Sequence, residues 1–140
     1  MKIIIVAGGT GGHVFPGINL AKHLINKSFY DVNLITDKRG QRYLNNSQNI
    51  QTFILPSSTF KTKNIFVKLF SIIHIFYSIL RSLIHLLLKR PSIIFGMGGY
   101  ASFPICIAAS LLRINFVIYE NNLVVGKANK YLLPFTKKIF

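Results

Sequence analysis

The stretch KIIIVAGGTGGHVFPG, Lys2–Gly17, runs an apolar segment straight into a turn of glycines with one threonine and one histidine. Isoleucine and valine are stiff at χ1 and favour strands. A run that is apolar at every position marks a strand covered on both faces. The glycines that follow offer consecutive backbone N–H groups near a helix start, with no side chains to block approach, which is the physics of an anion cradle. From Pro16 to about Asn26 the spacing becomes helical, with the proline expected in the first turn, where its missing N–H costs nothing. Strand, glycine turn and helix together form the first unit of a doubly wound sheet.

The pattern repeats outward. Strands are expected at Asp31–Thr36, Gln51–Leu55, Ser92–Phe95 and Asn115–Tyr119. Helices are expected at Arg39–Asn46, Ile65–Lys89, Pro104–Leu112 and Gly126–Leu133, and the final KKIF resembles the opening of another strand. Alternating β and α elements with short connections predict an α/β class and a parallel, doubly wound, Rossmann-like sheet over 1–140. In such sheets ligands sit beyond the carboxyl ends of the strands. A second glycine loop, GMGGYASFP (Gly96–Pro104), falls on that same edge after the fourth strand.

The composition is strongly basic. Lys and Arg number 17 against 3 acids, giving a net charge of +14, and 51% of the 140 residues are hydrophobic. The acids are Asp31, Asp37 and Glu120, so none interrupts Lys38–Tyr119. Such a chain is drawn to polyanions. The aromatic residues lie in apolar runs and no nucleic-acid-binding motif is present, so the balance favours an anionic membrane surface over nucleic acid. Cys106 is the only cysteine, so no intrachain disulfide forms, and a small buried hydrophobe is its expected role. Nothing in the sequence calls for a metal or a cofactor.

Within Ile65–Leu88, the polar residues Lys68, Ser71, His74, Ser78, Arg81, Ser82 and His85 fall on one stripe, and the rest of the helix is apolar over more than half its circumference. A buried crossover helix is one reading. A transmembrane helix has the right length, but each central charge costs about 2.5–3.5 kcal/mol. The favoured expectation is peripheral: one side packs on the sheet and another apolar edge dips into a bilayer. The patch would comprise Lys61, Lys63, Phe66, Lys68, Phe70, Ile73 and Arg81, its cations engaging anionic headgroups.

Two glycine loops on one sheet edge suggest a diphosphate between them. A dinucleotide fold is the rival, since Asp37 ends the second strand where an acid would hold a ribose hydroxyl. However, Val14 occupies the third-glycine position of the fingerprint read from Gly9, and that fingerprint leaves the second loop unexplained.

The segments GGTGGHVFPG (Gly8–Gly17), GMGGYASFP (Gly96–Pro104) and YENNLVVGKANKYL (Tyr119–Leu132) resemble, in order and spacing, the MurG family of bacterial GlcNAc transferases. The resemblance implies the N-terminal, acceptor-side half of a GT-B enzyme that transfers GlcNAc from UDP-GlcNAc to lipid I at the cytoplasmic face of the inner membrane. It further implies UDP-GlcNAc contacts at Thr10, Gly11, Gly12 and Asn122, and a cradle for the acceptor diphosphate from Gly9, Gly11, Gly12, Gly98, Gly99, Tyr100 and Ser102. His13 matches a histidine important for catalysis. The family's HEQN is YENN here, so Tyr119 replaces a histidine and Asn121 a glutamine. The donor-binding half is expected to lie outside this chain, in a missing C-terminal domain or on a separate chain, and the chain alone is expected to be inactive. The alternatives are a non-catalytic anchoring subunit of a split glycosyltransferase and, less favoured, a dinucleotide-binding domain.

The implied displacement needs a general base on the acceptor hydroxyl. His13 on the first loop and Glu120 at the end of the fifth strand are the catalytic candidates, the alternative for His13 being a residue that only bridges loop backbone groups. His23, His74 and His85 lie in helices with no partner motif and are expected to be packed or solvated.

Overall fold

The computed structural model describes residues 1–27, 29–44, 49–57 and 65–140. Five strands, β1 (Lys2–Val6), β2 (Asp31–Thr36), β3 (Gln51–Ile54), β4 (Ile93–Gly96) and β5 (Phe116–Ile118), form one parallel sheet in the order β3-β2-β1-β4-β5. The expected α/β, doubly wound architecture is present. The final KKIF extends it, for Ile139 bridges Ile118 in parallel and Phe140 N–H donates to the Ile118 carbonyl at 2.9 Å.

Strand β1 alternates between two cores. Ile4 and Val6 face the side covered by α2 (Ile65–Lys89), α3 (Ser102–Leu111) and α4 (Lys127–Leu132), while Ile3, Ile5 and Ala7 face α1 (Gly11–Asn26). Strand β1 also lies between β2 and β4, so the order reverses there. Val6 pairs with Gly96, which ends both strands level and sets the two glycine loops side by side at the topological switch point.

Helix α1 starts five residues before the expected position, at Gly11, with Thr10 as an extended N-cap. Pro16 therefore sits inside the helix rather than in its first turn. The expected helix Arg39–Asn46 is a short 3-10 turn over Gly40–Tyr43.

Helix α2 packs polar side inward. Its buried residues are Ser71, Ser78, Ser82 and Leu86, while Phe66, Leu69, Phe70, Ile73, Phe76, Leu80, Ile84 and Leu88 are exposed. The serines can be buried because each hydroxyl bonds to backbone: Ser71 donates to Val67 O at 2.9 Å, Ser78 to His74 O at 2.9 Å, and Ser82 to Ser78 O at 2.6 Å. Ser78 shares that one proton with Pro56 O, 2.6 Å from its Oγ, tying the helix to the segment after β3. Among the two helix histidines on this side, His85 stacks on Phe53 at 4.3 Å between centroids. Burial, with Lys89 and Arg81 nearby, lowers its pKa and favours the neutral ring. Cys106 is buried in the core as expected, and burial pushes its thiol up to about 12.

Candidate active site

Positive φ angles at Gly9 (86°), Gly98 (94°) and Gly99 (81°) place these residues where glycine is favoured. The two loops touch through backbone: Gly8 N–H donates to Gly98 O at 3.3 Å, and a Cβ on Gly99 would collide with the Gly8 carbonyl. Ser102, expected at a diphosphate, is fully buried, and its hydroxyl donates to Gly98 O at 2.7 Å. It shapes the second loop from beneath. The loops therefore do not part to hold a ligand between their bases. The open space lies above them.

That space is a cleft of about 340 Å³ lined by His13, Gly99, Tyr100, Glu120, Asn122, Gly126, Lys127, Ala128 and Asn129. The structure thus brings together five of the expected site residues: His13, Gly99, Tyr100, Glu120 and Asn122. Thr10 and Gly12 are exposed beside it at the start of α1, with Gly9 and Gly11 partly buried. The His13 ring lies against Gly98, where a Cβ would come within 2.7 Å of Nδ1, so only glycine leaves room for the imidazole. Nδ1 is buried with no hydrogen-bond partner among the described residues.

Glu120 is surrounded by donors. Oε1 accepts from the Asn122 backbone N–H at 3.1 Å and from Asn122 Nδ2 at 2.6 Å; Oε2 accepts from Gly126 N–H at 2.8 Å and Asn129 Nδ2 at 3.0 Å. Burial pushes the carboxyl pKa up, but the bonds from Gly126, Asn122 and Asn129 outweigh it and hold the group below its ordinary value. A carboxylate so stabilised organises the β5–α4 loop and is a weak base.

Asp37 is likewise committed. Only 2% exposed, it accepts from Gly9 N–H at 2.9 Å, Gly40 N–H at 2.8 Å, the Ser57 hydroxyl at 2.7 Å and Arg39 Nη2 at 3.1 Å. Instead of facing a ribose, it holds the first glycine loop to the turn after β2 and the segment after β3. Arg39 in turn lies 5.7 Å from the centre of the Tyr100 ring, so the charge pair links both glycine loops.

Sequence reasoning missed Lys127, Ala128 and Asn129 as cleft residues. The signal available was their place in the segment YENNLVVGKANKYL, just after Gly126, the N-cap of α4. It also missed the partner of Asn121, whose Nδ2 donates to Gly12 O at 2.7 Å. The shorter amide of YENN therefore reaches the first loop. Of the expected membrane patch, Lys61 and Lys63 lie outside the described residues. Phe66, Lys68, Phe70, Ile73 and Arg81 are all exposed on α2.

A parallel sheet whose switch point carries two glycine loops and a cleft lined by His13 defines a Rossmann-like α/β domain. The family profile of the glycosyltransferase family 28 N-terminal domain matches residues 3–140, and the chain belongs to that family. It is 41% identical over 138 residues to the UDP-N-acetylglucosamine--N-acetylmuramyl-(pentapeptide) pyrophosphoryl-undecaprenol N-acetylglucosamine transferase of Rickettsia felis, covering 99% of this chain and 37% of that protein. Against the transferase of the same name from Pelagibacter ubique, identity is 34%, covering 99% of this chain and 38% of the relative. A crystal structure of MurG from Acinetobacter baumannii superposes with a TM-score of 0.84 at 28% identity, over 99% of this chain and 40% of that one. A UDP-GlcNAc 2-epimerase from Methanocaldococcus jannaschii shares the fold, with a TM-score of 0.70 at 14% identity over 100% of this chain and 39% of its own. The chain spans less than half the length of each of these proteins.

Proposed function

We propose that this chain supplies the acceptor-binding half of a transferase that moves GlcNAc from UDP-GlcNAc to the muramyl 4-hydroxyl of lipid I, working with a donor-binding domain. The observation that carries this reading is the placement of His13 in the cleft above two glycine loops, in a chain whose relatives bear that transferase name. In the proposed reaction the 4-hydroxyl oxygen attacks the anomeric carbon while the bond from that carbon to the UDP oxygen breaks, so configuration inverts. The hydroxyl proton passes to His13 and UDP leaves with the electron pair. His13 is the better base because Glu120 is tied down by four donors. In this arrangement Glu120, Asn122 and Asn129 shape the cleft wall, Lys127 adds positive charge for the acceptor diphosphate, and Thr10, Gly11, Gly12 and Asn122 face the sugar nucleotide.

The outward apolar face of α2 belongs to the same proposal. Helix α2 is long and apolar enough to cross a membrane by length and composition. Its serine stripe is already used to pack against the protein, which leaves the opposite face for a bilayer surface. Lys68 and Arg81 lie exposed on the flanks of that stripe, with the Arg81 guanidinium 5.6 Å from the centre of the Phe53 ring. From there they would reach anionic headgroups at the margin of the apolar face, each worth about 1 kcal/mol near such a surface. The chain would thus sit peripherally on the cytoplasmic face of the inner membrane, with the cleft served by a lipid-linked acceptor. No observation favours the anchoring-subunit alternative, and the commitment of Asp37 speaks against a dinucleotide.

The test is turnover with the chain joined to a donor-binding domain. His13→Ala should lower it at least about a hundredfold, the scale of acid–base contributions. Turnover close to that of the unsubstituted protein would remove His13 from the chemistry.

A further inference from the structure

Pro16 has no backbone N–H, so the carbonyl four residues earlier in α1, that of Gly12, lacks its helical donor. A proline ring inside a helix also crowds the carbonyl four residues before it. An interior helix proline is destabilising when nothing compensates. Here something does: Asn121, 109 residues away in sequence and at the end of β5, donates Nδ2 to Gly12 O at 2.7 Å. The other end of the same peptide unit is also held, since His13 N–H donates to Thr10 O at 3.1 Å. The Gly12–His13 peptide plane is therefore fixed by two bonds, one from within the helix turn and one from across the cleft. The neighbours of Asn121 leave it little freedom, because Glu120 and Asn122 bond to one another and Glu120 also anchors Gly126 and Asn129.

We propose that Asn121 is a positioning residue, replacing the helix bond that Pro16 deletes and thereby setting the orientation of His13 in the cleft. It acts through the backbone of Gly12 and not through substrate. Proline and asparagine are two halves of one device: the proline frees a carbonyl in the first turns of α1, and the asparagine uses it to clamp the β5–α4 loop against the first glycine loop. The device also gives the wall carrying Glu120 and Asn122 a fixed distance from His13. Its functional consequence rests on the transferase reading above, whereas the bond itself does not.

Two measurements separate these levels. In the isotopically labelled 140-residue chain, a through-hydrogen-bond coupling is expected between the Asn121 side-chain nitrogen and the Gly12 carbonyl carbon. Its absence overturns the proposal. With the chain joined to a donor-binding domain, Asn121→Ala should lower kcat about tenfold, the scale of one lost hydrogen bond, with KM for UDP-GlcNAc nearly unchanged. Asn121→Gln, which keeps the amide, should retain most of the activity. Pro16→Ala returns an N–H to Gly12 O and should shrink the Asn121→Ala loss to within about threefold. A loss that persists in full in the Pro16→Ala background would make Asn121 a substrate contact and end the positioning role. Should coupling and rescue both appear while His13→Ala leaves turnover intact, the clamp stands and the role given to His13 falls.

Discussion

Helices α1 and α2 cover opposite faces of one sheet and use opposite sides of themselves to do so. Helix α1 buries Val14, Gly17, Ile18 and Ala21 and turns Asn19, Lys22 and His23 to solvent. Helix α2 buries serines and exposes phenylalanine, isoleucine and leucine along most of its length. The first arrangement is that of a helix between core and water. The second leaves a contiguous apolar patch of an extent that is rare on soluble surfaces, and this is the face for which we propose a bilayer. On that proposal the two faces of the sheet meet two different media, with the glycine-loop edge between them.

The largest expected effect that sharpens this contrast comes from one deletion made on both helices. Ile18→Ala in α1 should destabilise the chain by about 2–5 kcal/mol, as for other large-to-small core changes. Ile73→Ala in α2, 59% exposed, should stay within roughly 0.5 kcal/mol. Urea midpoints measure both, and similar losses at the two sites would erase the distinction.

A smaller effect concerns the loop edge. Burial raises the Asp37 carboxyl pKa, but bonds from Ser57, Gly9, Gly40 and Arg39 outweigh it, so the folded value lies below the ordinary 3.8. A group lowered in this way adds stability above its unfolded pKa and loses it as pH falls through the folded one. Asp37→Asn should therefore be less stable than the unsubstituted chain at pH 7, with the gap closing as the pH falls below the ordinary 3.8 and through the lower folded value. A gap that does not change over that fall in pH would remove the carboxylate's charge from the account.

Much of this was legible in the sequence. The β-branched runs gave the strands, and the two glycine loops marked the switch point, because backbone that must adopt positive φ leaves a compositional trace. The start of α1 was not legible, since Pro16 reads locally as a first-turn residue and its compensating donor, Asn121, is supplied from the far end of the chain. Asp37 misled for the same reason: an acid after β2 has the same local pattern whether it meets a ribose or Gly9 and Gly40. The polar stripe of α2 was visible, but periodicity says only that a helix has two sides. Which side turns inward was decided by serines that satisfy their own hydroxyls on the helix backbone, a property of hydrogen bonding rather than of hydropathy.

The most direct test of an α2 built for lipid is vesicle flotation of the chain beside its Phe70→Glu, Ile73→Glu variant. The unsubstituted chain should float with vesicles containing anionic lipid and release as salt rises toward 1 M, where the screening length shrinks to about 3 Å. The variant should stay in the soluble fraction with its urea midpoint unchanged. Equal flotation of both proteins, indifferent to anionic lipid and salt, would contradict the assignment of that face to a membrane.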